Sequence, residues 1–151
     1  LGVIVMGLLS SAGKGEITTL KNLAAEQAEI IRVADLGLET AKSRDTRTLA
    51  AITAVTVRTM NQRTTKLLTI KGTELTKAEK AAGKNSKTDD ALSAALANNR
   101  YDEVFIEYLT GALSKYQSSL KSAYDSTAGV NDREVLSAAF ESTALINESI
   151  Q

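Results

Sequence analysis

The chain has 151 residues, 18 basic and 18 acidic side chains, and no His, Cys, Pro or Trp. Imidazole and thiolate groups are the usual ligands for zinc, copper and haem, and imidazole is the commonest general base, so their absence argues against most enzyme classes. Zero net charge and an aromatic content of 4% argue against nucleic-acid binding. A single domain of this length buries about two-thirds of its unfolded surface without disulfides or metal.

The sequence opens with an uncharged apolar run, and a Ser- and Gly-containing stretch follows it. We expect this run to be a membrane anchor, a retained signal-like segment or an assembly helix buried among neighbouring subunits. The alternative is that it forms the first turns of a core helix. A bilayer span needs about 20 apolar residues, so the run is too short to cross alone. The predicted attachment residues are Leu1, Val3, Ile4, Val5, Met6, Leu8 and Leu9.

Gly13 and Gly15 are predicted to form a hinge after this run. The sequence therefore divides into an anchor region with a glycine hinge at 1–15 and a helical domain at 16–151. We expect the helical domain to lie outside the cytoplasm.

Apolar residues recur at helical spacing over 16–42 and again from about 46 to 70, which predicts two long amphipathic helices. Ser43 to Thr46 supply capping oxygens between them, and Gly72 marks the end of the second helix. Because β-branched residues are frequent over 52–59, a strand is the local alternative there. The apolar spacing does not alternate, so a helix is favoured. The expected apolar stripes are Ile17, Leu20, Leu23, Ala24, Ile30, Ile31, Ala34, Leu38 and Ala41, then Leu49, Ile52, Val55, Val57, Met60, Leu67 and Leu68.

The Lys-rich stretch 73–87 predicts a turn or two of helix and an exposed loop. A short helix capped by Thr88 should follow and stop at Asn98 and Asn99. Two long helices complete the prediction, one over about 101–128 and a last one capped by Asn131 or Asp132. Their apolar stripes are Val104, Phe105, Tyr108, Leu109, Ala112, Leu113, Tyr116, Leu120, Ala123 and Tyr124, then Val135, Leu136, Ala139, Phe140, Leu145 and Ile146. The pattern predicts an all-α fold, an antiparallel four-helix bundle with one extra short helix and the apolar N-terminal segment.

Two segments carry a resemblance to a known family. Residues 25–57 (AEQAEIIRVADLGLETAKSRDTRTLAAITAVTV) and residues 98–140 (NNRYDEVFIEYLTGALSKYQSSLKSAYDSTAGVNDREVLSAAF) each read as a helical hairpin with a short capped turn. They resemble the opening and closing hairpins of a family of exported bacterial proteins, domain of unknown function 4142. The resemblance implies a ferritin-like bundle and an exported location, but no activity. Members of that family commonly carry His on these helices, so no metal role carries over to this chain.

Acidic residues form two dense sets, Glu26, Glu29, Asp35 and Glu39 on the first helix and Glu103 and Glu107 on the helix over 101–128. Ferritin-like di-iron centres combine Glu with His. An all-carboxylate site would instead favour calcium or magnesium. Charges beside an apolar stripe are usually solvated, so we predict no metal and no cofactor.

Four tyrosines, Tyr101, Tyr108, Tyr116 and Tyr124, follow one another at intervals of 7, 8 and 8 residues. They are a possible partner-binding strip, because Tyr is enriched at interface anchors. The favoured alternative is that their rings border the core and their hydroxyls reach water. A cluster of Lys77, Lys80, Lys84 and Lys87 could contact anionic surfaces, although a solvated loop is the favoured interpretation.

The sequence therefore predicts a non-enzymatic, exported or cell-surface helical bundle, tethered or assembled through residues 1–9, with a structural or adhesive role. Expected partners are a membrane or neighbouring subunits, and not nucleic acid. One alternative is a ligand- or metal-binding ferritin-like bundle. Another is the subunit of a surface filament packed through its N-terminal helix.

Overall fold

The computed structural model describes residues 11–81 and 83–150, and this part of the chain contains helices and no β-strand. Its helices are α1 (Ser11–Thr40), α2 (Arg44–Ile70), α3 (Lys77–Ala81), α4 (Ser86–Ala97), α5 (Tyr101–Ser126) and α6 (Val130–Ile150). The all-α prediction is confirmed. The β-branched stretch 52–59 is helical, because the buried face of α2 around Thr53, Ala54 and Val57 has helical and not alternating spacing.

Capping residues set the helix ends, and two of the predicted caps are wrong. The Ser43 hydroxyl accepts hydrogen bonds from the amides of Asp45 and Thr46, as expected, and Gly72 follows α2 with a φ of 75°. In contrast, α4 is capped by Asn85 and not by Thr88, which is buried in the first turn of the helix.

The last helix also starts earlier than expected. Helix α6 begins at Val130, so Asn131 and Asp132 lie inside its first turn and neither is the cap. The backbone carbonyl of Gly129 accepts the first helical hydrogen bond, from Arg133. The Asp132 carboxylate is used elsewhere, in an ion pair with Lys71 at 2.8 Å.

The long helices bury one stripe each in a shared core. Helices α1 and α6 each contact both α2 and α5. The short helix α3 packs on α1, and α4 packs on α5. Buried side chains of the core include Leu23, Val57, Phe105 and Leu136.

Several residues of the predicted stripes lie outside the core. Leu38, Ile52, Val55, Tyr124, Phe140 and Leu145 are exposed. A bundle helix buries only part of its circumference. Thr53 and Thr143 take core positions that a search for apolar residues passes over.

Polar contacts show the path of the connection between α2 and α5. Its first residue, Lys71, lies beside Glu16 near the start of α1. Farther along, Glu79 contacts Lys21 and Asp89 contacts Arg32. The connection therefore runs beside α1 from the start of that helix towards its end.

Helix α1 begins at Ser11, five residues before the predicted start. Gly13 and Gly15, the predicted hinge, therefore have helical backbone. The proposed attachment residues Leu1, Val3, Ile4, Val5, Met6, Leu8 and Leu9 lie outside the described residues. Within the described ranges, no helix combines the length and the apolar character that a bilayer crossing needs.

Candidate functional site

A layer of neutral polar side chains crosses the bundle core. Gln27 of α1 is fully buried, and its Nε2 donates hydrogen bonds to the Thr64 hydroxyl at 3.0 Å and to the Tyr116 hydroxyl. Asn61 Nδ2 donates to Gln27 Oε1 at 3.1 Å, and the Thr64 hydroxyl donates to the Met60 carbonyl at 3.1 Å. The Gln27 amide thus finds partners on both α2 and α5, which satisfies a polar group that would be costly to bury alone.

Helix α6 completes this layer through Thr143. The Thr143 hydroxyl donates to the Ala139 carbonyl at 2.7 Å and lies 3.9 Å from the Met60 sulfur, which Tyr116 also approaches, at 4.0 Å. Burial raises the pKa of the Tyr116 phenol well above its usual range, so this hydroxyl is neutral at physiological pH. The layer of Gln27, Asn61, Thr64, Tyr116 and Thr143 is uncharged and largely self-satisfied, which suits it to fixing how the helices pack.

Of the six acidic residues considered as metal ligands, Glu26, Glu29 and Glu107 line one groove between α1 and α5, and the other three lie outside it. Asp35 pairs with Arg58 at 3.0 Å, and Glu103 pairs with Arg100 at 2.6 Å. Glu39 is exposed. In the part of the chain that the structure describes, no three His, Cys, Asp or Glu side chains are grouped as metal ligands.

An ion-pair cluster joins four segments at the end of the bundle where α1 begins. The Lys71 ammonium lies 3.0 Å from Glu16 and 2.8 Å from Asp132, and the Thr127 hydroxyl donates to Glu16. Hydrogen bonds from Thr127 and then Lys71 lower the pKa of Glu16 below its ordinary value. Burial alone would lower the pKa of Lys71, but hydrogen bonds to Asp132 and Glu16 outweigh this effect and raise it. Glu16 and Lys71 are therefore charged at neutral pH. The cluster joins the start of α1 to the residues that follow α2 and α5 and to the first turn of α6.

A groove of about 920 Å³ lies between α1 and α5, beside the connection between α3 and α4. Ala25, Ile30, Val104 and Ala112 contribute apolar surface, and Gly83 closes one side. A Cβ at Gly83 would lie 2.4 Å from the Ala25 carbonyl oxygen, so only glycine allows the connection to come this close to α1.

Charged groups hold the connection at the groove. The Arg32 guanidinium donates two hydrogen bonds to the Glu29 carboxylate, at 2.7 and 2.8 Å. The backbone N–H of Asn85 donates to the same carboxylate at 3.2 Å. Arg32 in turn lies 2.6 Å from Asp89. Burial, followed by the negative charge of Glu29, raises the pKa of Tyr108 to about 12. This wall of the groove is therefore fixed, and Tyr108 stays neutral.

The four tyrosines do not form one exposed strip. Tyr101 and Tyr116 are buried, Tyr108 is half-buried in the groove, and Tyr124 is 40% exposed, with the Arg133 guanidinium 5.3 Å from its ring centre. The rings of Tyr101, Tyr108 and Tyr116 border the core, as the favoured alternative predicts. The expectation that the hydroxyls reach water is wrong for Tyr101 and Tyr116, whose hydroxyls are buried. The four lysines Lys77, Lys80, Lys84 and Lys87 are exposed, and Lys84 lies 3.6 Å from Asp89.

Comparison with known proteins gives no relative. No family model, no curated protein and no solved structure matches this chain.

The polar layer and the groove are not among the features predicted from the sequence. Gln27 stands between charged residues in the sequence, which suggests a solvated face. Its spacing from Leu23 and Ile30 nevertheless places it on the apolar stripe, and this was the available signal. The groove had no such signal, because it depends on where the connection after α2 packs against α1.

Proposed function

We propose that this chain is a non-catalytic helical bundle of the ferritin-like type, exported and held at a cell surface or in an assembly through its apolar N-terminal run. There it makes structural or adhesive contacts. Residues 1–9 supply attachment in this proposal, and the bundle supplies a stable surface.

One observation carries the non-catalytic part of the proposal. Ferritin-like proteins build their metal centres from side chains that project into the bundle core. In this chain the corresponding interior holds the amide of Gln27 and the hydroxyls of Thr64, Tyr116 and Thr143. These groups are neutral and already bound to protein partners, which favours a packing role over chemistry.

The contacts between helix ends support a ferritin-like arrangement. Glu16 near the start of α1 meets Lys71 just after α2 and Thr127 just after α5, and Lys71 also meets Asp132 in the first turn of α6. These contacts favour opposite directions for neighbouring long helices. Ferritin-like bundles contain one long crossover connection, and residues 71–100 would fill that place.

Flotation with lipid vesicles tests the attachment. We expect the full chain to float with vesicles, and the double variant Ile4→Asp and Leu8→Asp to stay in the buffer, because charged groups oppose insertion into an apolar environment. Val130→Asp is the matched control, since Val130 is 80% exposed and lies at a helix start, where Asp is well tolerated. Only the N-terminal changes should abolish vesicle binding.

Light scattering without vesicles tests attachment to neighbouring subunits. In that version the full chain forms a large assembly, and the Ile4→Asp and Leu8→Asp variant does not. If the full chain and both variants are monomers and none of them floats with vesicles, the attachment proposal is wrong.

The groove favours a second candidate, a ligand-binding bundle. A groove with apolar surface and a few polar groups is typical of a small-molecule site. Calorimetry on the full chain with calcium, magnesium and ferrous iron tests the metal version of this candidate. A saturable heat would support metal binding and argue against a purely structural bundle.

A further inference from the structure

We propose that the groove between α1 and α5 binds a small organic cation, a primary ammonium group on an aliphatic body. The site consists of the apolar surface of Ala25, Ile30, Val104 and Ala112 and the carboxylates of Glu26 and Glu107. This inference does not depend on residues 1–9. It rests on the ligand-binding candidate, and its test is independent of the test for attachment.

The size and surface of the groove fit a small molecule. Ligand sites are commonly about 300–1,000 Å³ and mainly apolar, with a few polar groups that orient the ligand. This groove has a volume of about 920 Å³, within that range. Its apolar side chains come from α1 and α5, so the ligand body would lie between two long helices.

Gly111 keeps the groove open. It lies in the middle of α5, where glycine costs about 1 kcal/mol relative to alanine. A Cβ at this position would meet no atom within 4 Å, so close packing does not require the glycine. A larger side chain at position 111 would instead occupy the groove.

The charge of the groove selects a cation. Glu107 lines the groove and makes no salt bridge among the described residues. Glu26 accepts the Ser119 hydroxyl at 3.1 Å on Oε1, while its Oε2 is shielded from solvent and has no partner among the described groups. Lys115, which also lines the groove, pairs with Glu26 Oε1 at 3.8 Å, a long contact whose lysine is 76% exposed. An ammonium group in the groove would pair with Glu107, which is exposed, and would compete with this weak Lys115 contact at Glu26.

The aliphatic body matches the rest of the surface. Glu29 is already satisfied by Arg32 and by the Asn85 amide, so it fixes the wall and does not compete for the ligand. Tyr108 is neutral and lines the groove together with the apolar side chains, so it adds no charge to the surface that the aliphatic body would cover.

Titration of the full chain with hexylammonium at neutral pH, followed by amide chemical-shift changes in NMR, tests the proposal. We expect saturable shifts at groove residues. Hexan-1-ol has the same body without the charge, and we expect it to bind about five-fold more weakly or worse. Hexanoate should show no saturable binding, and added salt should weaken hexylammonium binding.

Two pairs of variants locate the site. Glu26→Gln with Glu107→Gln should weaken hexylammonium binding about ten-fold while leaving hexan-1-ol unchanged. Glu103→Gln is the matched control, because Glu103 is on the same helix but pairs with Arg100 outside the groove. Gly111→Leu should abolish binding by filling the groove, and Ser118→Leu, an exposed position of α5 outside the groove, should not.

Circular dichroism and thermal unfolding of each variant separate loss of binding from loss of fold. The proposal is overturned if hexylammonium gives no saturable shifts, or if hexan-1-ol binds equally well. It is also overturned if folded Gly111→Leu protein binds hexylammonium as the unchanged chain does.

Discussion

Gln27 on α1 and Tyr116 on α5 are joined by a hydrogen bond in which the amide Nε2 donates to the phenol oxygen, and neither side chain is exposed to solvent. The same amide nitrogen donates to Thr64 on α2. One side chain therefore fixes α1 against two neighbouring helices. Buried polar contacts of this kind specify a single packing arrangement when every group is satisfied.

Tyr116→Phe tests this relationship. The change leaves one N–H of Gln27 buried without its partner, so we expect the free energy of unfolding to fall by about 2 kcal/mol in urea denaturation. Tyr124→Phe is the control, because Tyr124 is partly exposed and should change stability by no more than about 0.5 kcal/mol. The double variant Gln27→Leu and Tyr116→Phe should lose less free energy of unfolding than the two single variants lose together. Strict additivity would contradict the bond.

Lys71→Met probes the ion-pair cluster. The Asp132 side chain is 6% exposed and lies 2.8 Å from Lys71, so losing the ammonium leaves a buried carboxylate without its cation. We expect a loss of about 3 kcal/mol in the free energy of unfolding, measured by chemical denaturation. Lys66→Met, at an exposed position in the last turns of α2, should have almost no effect. Equal losses in the two variants would show that the cluster does not stabilise the fold.

The same cluster predicts a pH dependence. The pKa of Glu16 lies below its ordinary value of 4.5, because the Thr127 hydroxyl and then Lys71 donate hydrogen bonds to the carboxylate. The folded chain therefore binds the Glu16 proton more weakly than the unfolded chain. Its contribution to stability is complete above pH 4.5 and is lost as the pH falls through the lowered folded pKa.

Glu16→Gln should reduce the loss of stability as the pH falls. Glu79 acts in the same direction, because hydrogen bonds from Lys21 and then from Thr76 lower its pKa to about 2. We therefore compare Glu16→Gln with the unchanged chain by urea unfolding between pH 7 and pH 2. The stability difference between the two proteins should shrink as the pH falls. A constant difference over that range would refute the assignment.

Two helical glycines make a matched pair. A Cβ at Gly37 of α1 would lie 2.4 Å from the ring of Phe105, whereas a Cβ at Gly111 of α5 would meet open space. Gly111→Ala should raise the free energy of unfolding by about 0.5–1 kcal/mol, since alanine is the better helix former. Gly37→Ala should lower it by about 1–3 kcal/mol, because the ring must move. Thermal and urea unfolding measure both, and a similar gain in each would contradict the close packing of α1 on α5.

The helical periodicity was sufficient to predict the long helices, because each presents regular apolar positions such as Leu109, Leu113 and Leu120. The caps were less predictable, since several nearby residues carry suitable oxygens. Thr88 and Asn85 are both good caps by type, but Asn85 caps α4 and Thr88 lies buried inside its first turn.

The candidate site could be predicted from the sequence less well than the fold could. The groove combines Glu26 of α1, Gly83 of the connection, and Glu107 and Gly111 of α5, three segments that are distant in sequence and meet through tertiary packing. Periodicity assigns residues to faces of single helices, but it does not say which faces meet. Gln27 was predictable in position and not in role, because a buried amide needs partners that only the other helices provide.

The connection over residues 71–100 has a consequence for how the chain folds. Helices α1 and α2 are joined by a three-residue turn, and so are α5 and α6, so each pair can form through local contacts. Contacts between distant parts of a chain form more slowly than local ones. We therefore expect two helical hairpins to form early and their docking to limit the folding rate. The entropy of closing the long connection grows only with the logarithm of its length, so lengthening it should slow docking very little.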